Sequence, residues 1–196
     1  MNKKAEQGRT TRERLISIGL GLFAEHGYEG TSIEAVLRES GLSRGALYHH
    51  FDGKDALFAA VLEQVEQDVA AKLAPVVMAA APDPVAELRA GCLAWIRLVA
   101  DPVVRRIILI DGPAVLGWHE WRSVEERHGL GLFKIALAEA AEQGRLPAER
   151  ADLFAHMLMA AMNEVALLVA QAEGDEQSIA EGEAALEDFL GRVLGV

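Results

Sequence analysis

The chain has almost no cysteine. Cys92 stands alone among 196 residues, which excludes an internal disulfide framework and a cysteine-rich zinc module and fits a reducing compartment. Uninterrupted apolar runs of roughly 18 residues, the length of a membrane span, are also missing. The nearest stretch, 153–170, is broken by His156, Asn163 and Glu164. Residues 1–14 are polar and lack the apolar centre of a signal peptide. β-Branched alternation is nowhere sustained, and neither an internal repeat nor a low-complexity tract is visible beyond alanine enrichment. The expectation is a soluble, cytoplasmic, all-α protein with no membrane partner.

Positive charge is scarce as well: 19 Lys and Arg face 30 Asp and Glu, for a net charge of −11. Taken alone, this weighs against nucleic acid as a partner, because phosphate neutralisation supplies much of that affinity. Its distribution reverses the reading. Residues 1–54 hold eight basic side chains (Lys3, Lys4, Arg9, Arg12, Arg14, Arg38, Arg44, Lys54) against seven acidic ones, a net of +1, so the remainder carries −12. A near-neutral head on an acidic body suggests divided labour, with domains over 1–54 and 55–196.

What is present is helical spacing. Leu15, Ile16, Gly19, Leu22 and Phe23 line one face of a first helix over about 11–26, ended by Gly27. Thr31-Ser32-Ile33-Glu34 reads as a capping box, the Thr31 hydroxyl and the Glu34 carboxylate each satisfying an orphan backbone donor, and opens a short second helix that stops before Gly41. Ser43 caps a third, and Asp52 a fourth that ends where Pro75 and Pro82-Asp83-Pro84 interrupt it. Asp83 and Asp101, each followed by proline, cap the fifth and sixth helices. Asp111-Gly112-Pro113 reads as a turn. A helical stretch over 118–143, bent at Gly129 and Gly131, precedes a very apolar helix over 148–173 and a final amphipathic one.

The two short helices joined by Gly41-Leu42-Ser43 have the spacing of a helix-turn-helix, whose second helix enters the DNA major groove. Val36, Leu42, Leu47 and Phe51 would hold the pair against the first helix, turning Arg44, Gly45, Tyr48 and His49 outward. Arg44 can pair with guanine O6 and N7, and the Ala46 methyl can meet a thymine methyl. Tyr48 and His49 suit phosphate or base contacts. Lys54, beside a helix N-terminus, suits a phosphate, as do Thr31 and Ser32.

The run Thr31-Ser32-Ile33, then Ser40-Gly41-Leu42-Ser43-Arg44-Gly45-Ala46-Leu47-Tyr48-His49-His50-Phe51-Asp52-Gly53-Lys54, on to Leu57-Phe58, resembles the DNA-binding domain of TetR-type transcriptional repressors. The resemblance implies an N-terminal helix-turn-helix domain on a C-terminal helical ligand-binding and dimerisation domain. It implies a homodimer on double-stranded operator DNA with two half-sites, released by a small-molecule effector. Carried onto this chain, the implied DNA-contacting residues are Thr31, Ser32, Arg44, Gly45, Ala46, Tyr48, His49 and Lys54. Leu37 departs from the family pattern, which places a small alanine there.

Competing motifs fail on spacing. Tyr48-His49-His50 lacks a third ligand for a metal. Gly41-Leu42-Ser43-Arg44-Gly45 matches a hydrolase elbow, but that elbow needs a preceding strand. The second histidine of a zinc protease signature after His119-Glu120 would fall on Ser123. Gly129-Leu130-Gly131 lacks the third glycine of a dinucleotide loop. No base–nucleophile pair is found, so neither an enzyme nor a cofactor is expected, and Cys92 reads as packing. The last two helices are too apolar for a monomer surface and read as half of a two-fold four-helix interface, the alternative being that both pack inside one subunit. For an apolar or amphipathic effector, Trp95, Trp118, Trp121, Phe133, Met78 and Met162 are candidate lining residues, with Arg105, Asp111, His119, His128 and Asn163 as orienting groups.

Overall fold

The computed structural model describes residues 3–80 and 82–194, with side chains from Gly8 onward, so Lys3 and Lys4 of the basic arm keep their side chains outside the described residues. No strand occurs among the described residues. The helices are α1 (Lys3–Gly30), α2 (Ile33–Ser40), α3 (Arg44–His50), α4 (Lys54–Ala79), α5 (Pro84–Leu98) and α6 (Pro102–Val104). A π-helical segment, Arg105–Asp111, leads into α7 (Gly112–Glu125), and a second, Glu126–Leu130, leads into α8 (Gly131–Glu142). A 3₁₀ turn, Ala148–Arg150, opens onto α9 (Ala151–Gln171), and α10 (Glu176–Leu194) closes the chain. Together Ala148–Gln171 are long and apolar enough to cross a membrane by length and composition alone. Here that helix packs on α5, α8 and α10.

Contacts divide the chain into two compact units. The first joins Met1–Val65 to Arg106–Trp121; the second joins Glu66–Arg105 to Arg122–Val196. In the first, Leu15, Phe23, Val36, Leu47, Leu57 and Phe58 are fully buried, each large side chain contributing about 1.5–3 kcal/mol of transfer free energy. Phe58 meets Phe23 and Tyr28 edge-on, at 5.2 and 5.4 Å between ring centres. In the second unit α8 packs on α5 and α9, and α10 packs on both α5 and α9. A Cβ at Gly182 of α10 would lie 3.1 Å from Val165 and Val169, so a bare backbone is what lets α10 approach α9 so closely.

Local chemistry explains most boundaries. Ser43, Asp83 and Asp101 cap their helices, with side-chain oxygens accepting from Ala46 N, Ala86 N and Val103 N. Gly41, at φ 66°, supplies the left-handed residue that ends α2.

Several expectations need correcting. The cap of α2 is Ser32, which accepts from Ala35 N at 3.1 Å, because the Thr31 hydroxyl is buried and turned to Gly27 O at 2.8 Å. The first helix begins at Lys3 and runs on to Gly30 across a break at Gly27, φ 72°. The fourth starts at Lys54, with the Gly53 carbonyl accepting from Leu57 N, one residue beyond Asp52. It also continues through Pro75 to Ala79. Pro75 and Ala71, whose carbonyl loses its helical donor, are both exposed, so water can serve that carbonyl. Asp111-Gly112-Pro113 is not a turn but a passage from π-helix to α7, since Asp111 spends its carboxylate on Tyr28 N at 2.9 Å. The break falls instead at Gly117, φ 73°.

Candidate nucleic-acid interface

α3 is one buried residue wrapped in exposed ones. Leu47 is fully buried and Phe51, its C-cap, is 4% exposed, so a single i, i+4 pair fastens the helix to the core. Arg44, Gly45, Tyr48 and His49 stand exposed on the other side, with Ala46 half-buried between them. Tyr48, at 46% exposure, is a large apolar ring left in solvent. His49 packs edge-on against His50 at 5.1 Å. Arg12 of α1 lies over the Phe51 ring at 5.2 Å, bringing a second guanidinium to the end of α3.

Three of the residues read from the sequence sit differently from the rest. Ser32 is exposed but spends its oxygen on the cap. Thr31 is 2% exposed, so its side chain does not reach the outer surface. Lys54 donates from Nζ to Tyr28 O at 2.9 Å and Thr31 O at 3.1 Å, and lies 3.8 Å from the centre of the Tyr28 ring. Two of its three N–H groups thus tie the α1–α2 turn to the start of α4. Tyr28 is the hub of that turn: its hydroxyl donates to Asp55, and burial first, then Asp55, push its pKa up. Sequence reasoning missed Tyr28, and it gave Glu34 only a capping role with Thr31, whereas Thr31 N donates to Tyr28 O and Glu34 receives Arg44 Nη2 from the first turn of α2.

The effector candidates separate into the two units. Trp95, Phe133, Met162 and Asn163 are all buried, on α5, α8 and α9 of the second unit. The Trp95 indole Nε1 is buried with no hydrogen-bond partner. Asn163 Nδ2 donates to Glu125 Oε1 at 2.6 Å, and Arg122 Nη1 to Glu125 Oε2 at 3.1 Å. Burial raises the pKa of Glu125, against the opposing pull of Asn163 and Arg122. Glu125 carried no sequence signal, since it stands in the charged run Arg122-Ser123-Val124-Glu125-Glu126-Arg127. Trp118 and Trp121 belong to the first unit, 5.2 Å apart, with Trp118 67% exposed and Trp121 Nε1 donating to Ile108 O at 3.0 Å. Met78 is 82% exposed and His119 is exposed. Arg105 Nη1 donates to Glu173 O at 2.8 Å, and Asp111 is committed to Tyr28, so both serve the backbone.

Comparison with known proteins gives a consistent likeness. The family described as "Bacterial regulatory proteins, tetR family" matches residues 15–61, and the "Tetracyclin repressor-like, C-terminal domain" matches residues 85–193. A crystal structure of a TetR-family transcriptional regulator from Pectobacterium atrosepticum is 29% identical, covers 99% of this chain and 98% of its own, and superposes with a TM-score of 0.81. The transcriptional repressor AcnR of Corynebacterium efficiens is 27% identical over 142 residues, 69% of each chain. The transcriptional regulator AcrR of Shigella flexneri is 32% identical over 67 residues, 34% of this chain and 31% of that protein. The chain spans about a third of the length of curated relatives such as AcrR and UidR.

Proposed function

The chain belongs to the TetR family of bacterial transcriptional regulators, and we propose that it is a ligand-responsive repressor that binds operator DNA as a homodimer and is released by a small apolar or amphipathic effector. Proteins of this family are DNA-binding regulators rather than enzymes, and a regulator of this kind works in the cytoplasm. Residues 1–54 are the DNA-binding domain in this reading, and 55–196 the ligand-binding and dimerisation domain. The observation that carries it is the outward face of α3, where Arg44, Gly45, Tyr48 and His49 are exposed while Leu47 and Phe51 anchor the helix from behind. Ser32 and Ala46 complete the contact surface, and Thr31 and Lys54 hold the turn that presents it.

Dimerisation is supported by the side of the last two helices that the fold leaves uncovered. Leu153, Met157 and Leu168 on α9 are 60%, 56% and 56% exposed, and Phe189 and Val193 on α10 are exposed too. A second copy covering these residues by two-fold symmetry would present α3 twice, as an operator with two half-sites requires. The effector site is supported by Trp95, Phe133 and Met162 as apolar lining, with Asn163 and Glu125 as polar groups among them. An effector that favours one spacing of the two heads over another shifts the population away from DNA.

Gel-shift titration on a duplex selected from a randomised pool tests the reading. Arg44→Ala should cost roughly 1–3 kcal/mol of specific affinity and relax base preference. Lys54→Ala should weaken binding to all sequences alike, because it frees the turn that presents α3. Parent-like binding by Arg44→Ala would remove Arg44 as the reading residue.

A further inference from the structure

We infer that Glu34 is a positioning residue for base reading: its carboxylate holds the Arg44 guanidinium in the orientation that meets a guanine edge, setting sequence preference without touching the base selected. This rests on the proposed role of Arg44.

Glu34 lies in the first turn of α2 and Arg44 opens α3, ten residues on across the Gly41 turn. Arg44 Nη2 donates to Glu34 Oε1, and the two side chains are 60% and 64% exposed. A pair this exposed adds little to folding, because water screens it and two long side chains lose freedom. A carboxylate on the leading turn of a helix that approaches phosphates also repels DNA by its charge. The first turn of α2 gives that carboxylate a helix-end role through its own backbone N–H, and the contact with Arg44 adds a second role directed at the guanidinium. Arginine presents five N–H groups in a planar fork. Giving one Nη2 hydrogen to Glu34 leaves another edge of that plane, with two parallel N–H groups, for guanine O6 and N7. A side chain already held in one orientation has less freedom to lose on docking. As the duplex displaces water, the falling local dielectric strengthens the pair that holds it. Glu34 is available as a carboxylate throughout, since its own backbone N–H and then Arg44 keep its carboxyl below the usual range.

The test is a mutant cycle of the parent, Glu34→Ala, Arg44→Ala and the double variant, by fluorescence anisotropy on three kinds of duplex. These are a duplex selected by the parent from a randomised pool, copies with single G·C pairs changed, and random sequence. The readout is the ratio of affinities within each variant, so differences in the amount of folded protein cancel. Arg44→Ala should lose discrimination at one G·C pair. Glu34→Ala should lose about tenfold at that same pair while binding random duplex no more weakly than the parent, and should change nothing once Arg44 is gone. Glu34→Gln, which keeps an acceptor oxygen, should fall between. Glu34→Ala retaining the parent's discrimination, or losing it equally with and without Arg44, would overturn the inference alone. Arg44→Ala retaining it would overturn the reading of Arg44 as well.

Discussion

Glu125 takes a carboxylate into the apolar interior of the second unit, at 6% exposure, with Asn163 and Arg122 as its donors. Burial is the largest influence on it, and it raises the pKa. A carboxyl raised on folding binds more protons in the folded chain than in the unfolded one. Its contribution to stability is therefore full below the ordinary carboxylate value and is lost as pH rises through the raised one. Compared with Glu125→Gln, the parent should lose melting temperature as the pH rises from about 4 towards neutrality. Parallel melting profiles for the two proteins would place Glu125 in a wetter setting than its burial indicates. Cys92, by contrast, is pushed up to about 12 by burial, consistent with a packing residue and no nucleophile.

At the scale of the element, α9 is the helix that a single chain leaves half-finished. One side carries Ala155, Leu158, Met162 and Val169 into the core, and the other leaves Leu153, Met157 and Leu168 in solvent. Leu168→Glu should convert a two-chain species into a single chain in sedimentation equilibrium, because a charge at a two-fold interface meets its own copy. A mass unchanged from the parent's would move the interface elsewhere. The same helix shows what the sequence can and cannot reveal. Its apolar excess was legible because burial demand is written in composition, and the caps Ser43, Asp83 and Asp101 were legible because capping is a transaction within four residues. The outward face of α3 followed from a 3.6-residue period around Leu47. Misreadings arose where a distant partner decided the outcome. Asp111 left its turn for Tyr28, 83 residues away, and Thr31 gave its hydroxyl to Gly27 and Leu22 rather than to the cap. Glu34 with Arg44 and Glu125 with Asn163 were invisible for the same reason, since spacings of 10 and 38 residues carry no periodic signal.

For the whole molecule, charge sets the problem that pairing must solve. A head of net +1 on a chain of net −11 has few cations to offer a duplex, so one head alone should bind weakly. In the proposed homodimer, two heads joined through α9 and α10 would act together, the second engaging at the effective concentration created by the first. The most direct measurement is the affinity of the parent for a selected duplex with two half-sites, compared with the same duplex after five base pairs are inserted between them. The insertion rotates one half-site by about half a turn of the helix. Paired reading heads predict a loss of at least tenfold, because only one head can then dock. Equal affinity for the two duplexes would contradict the account.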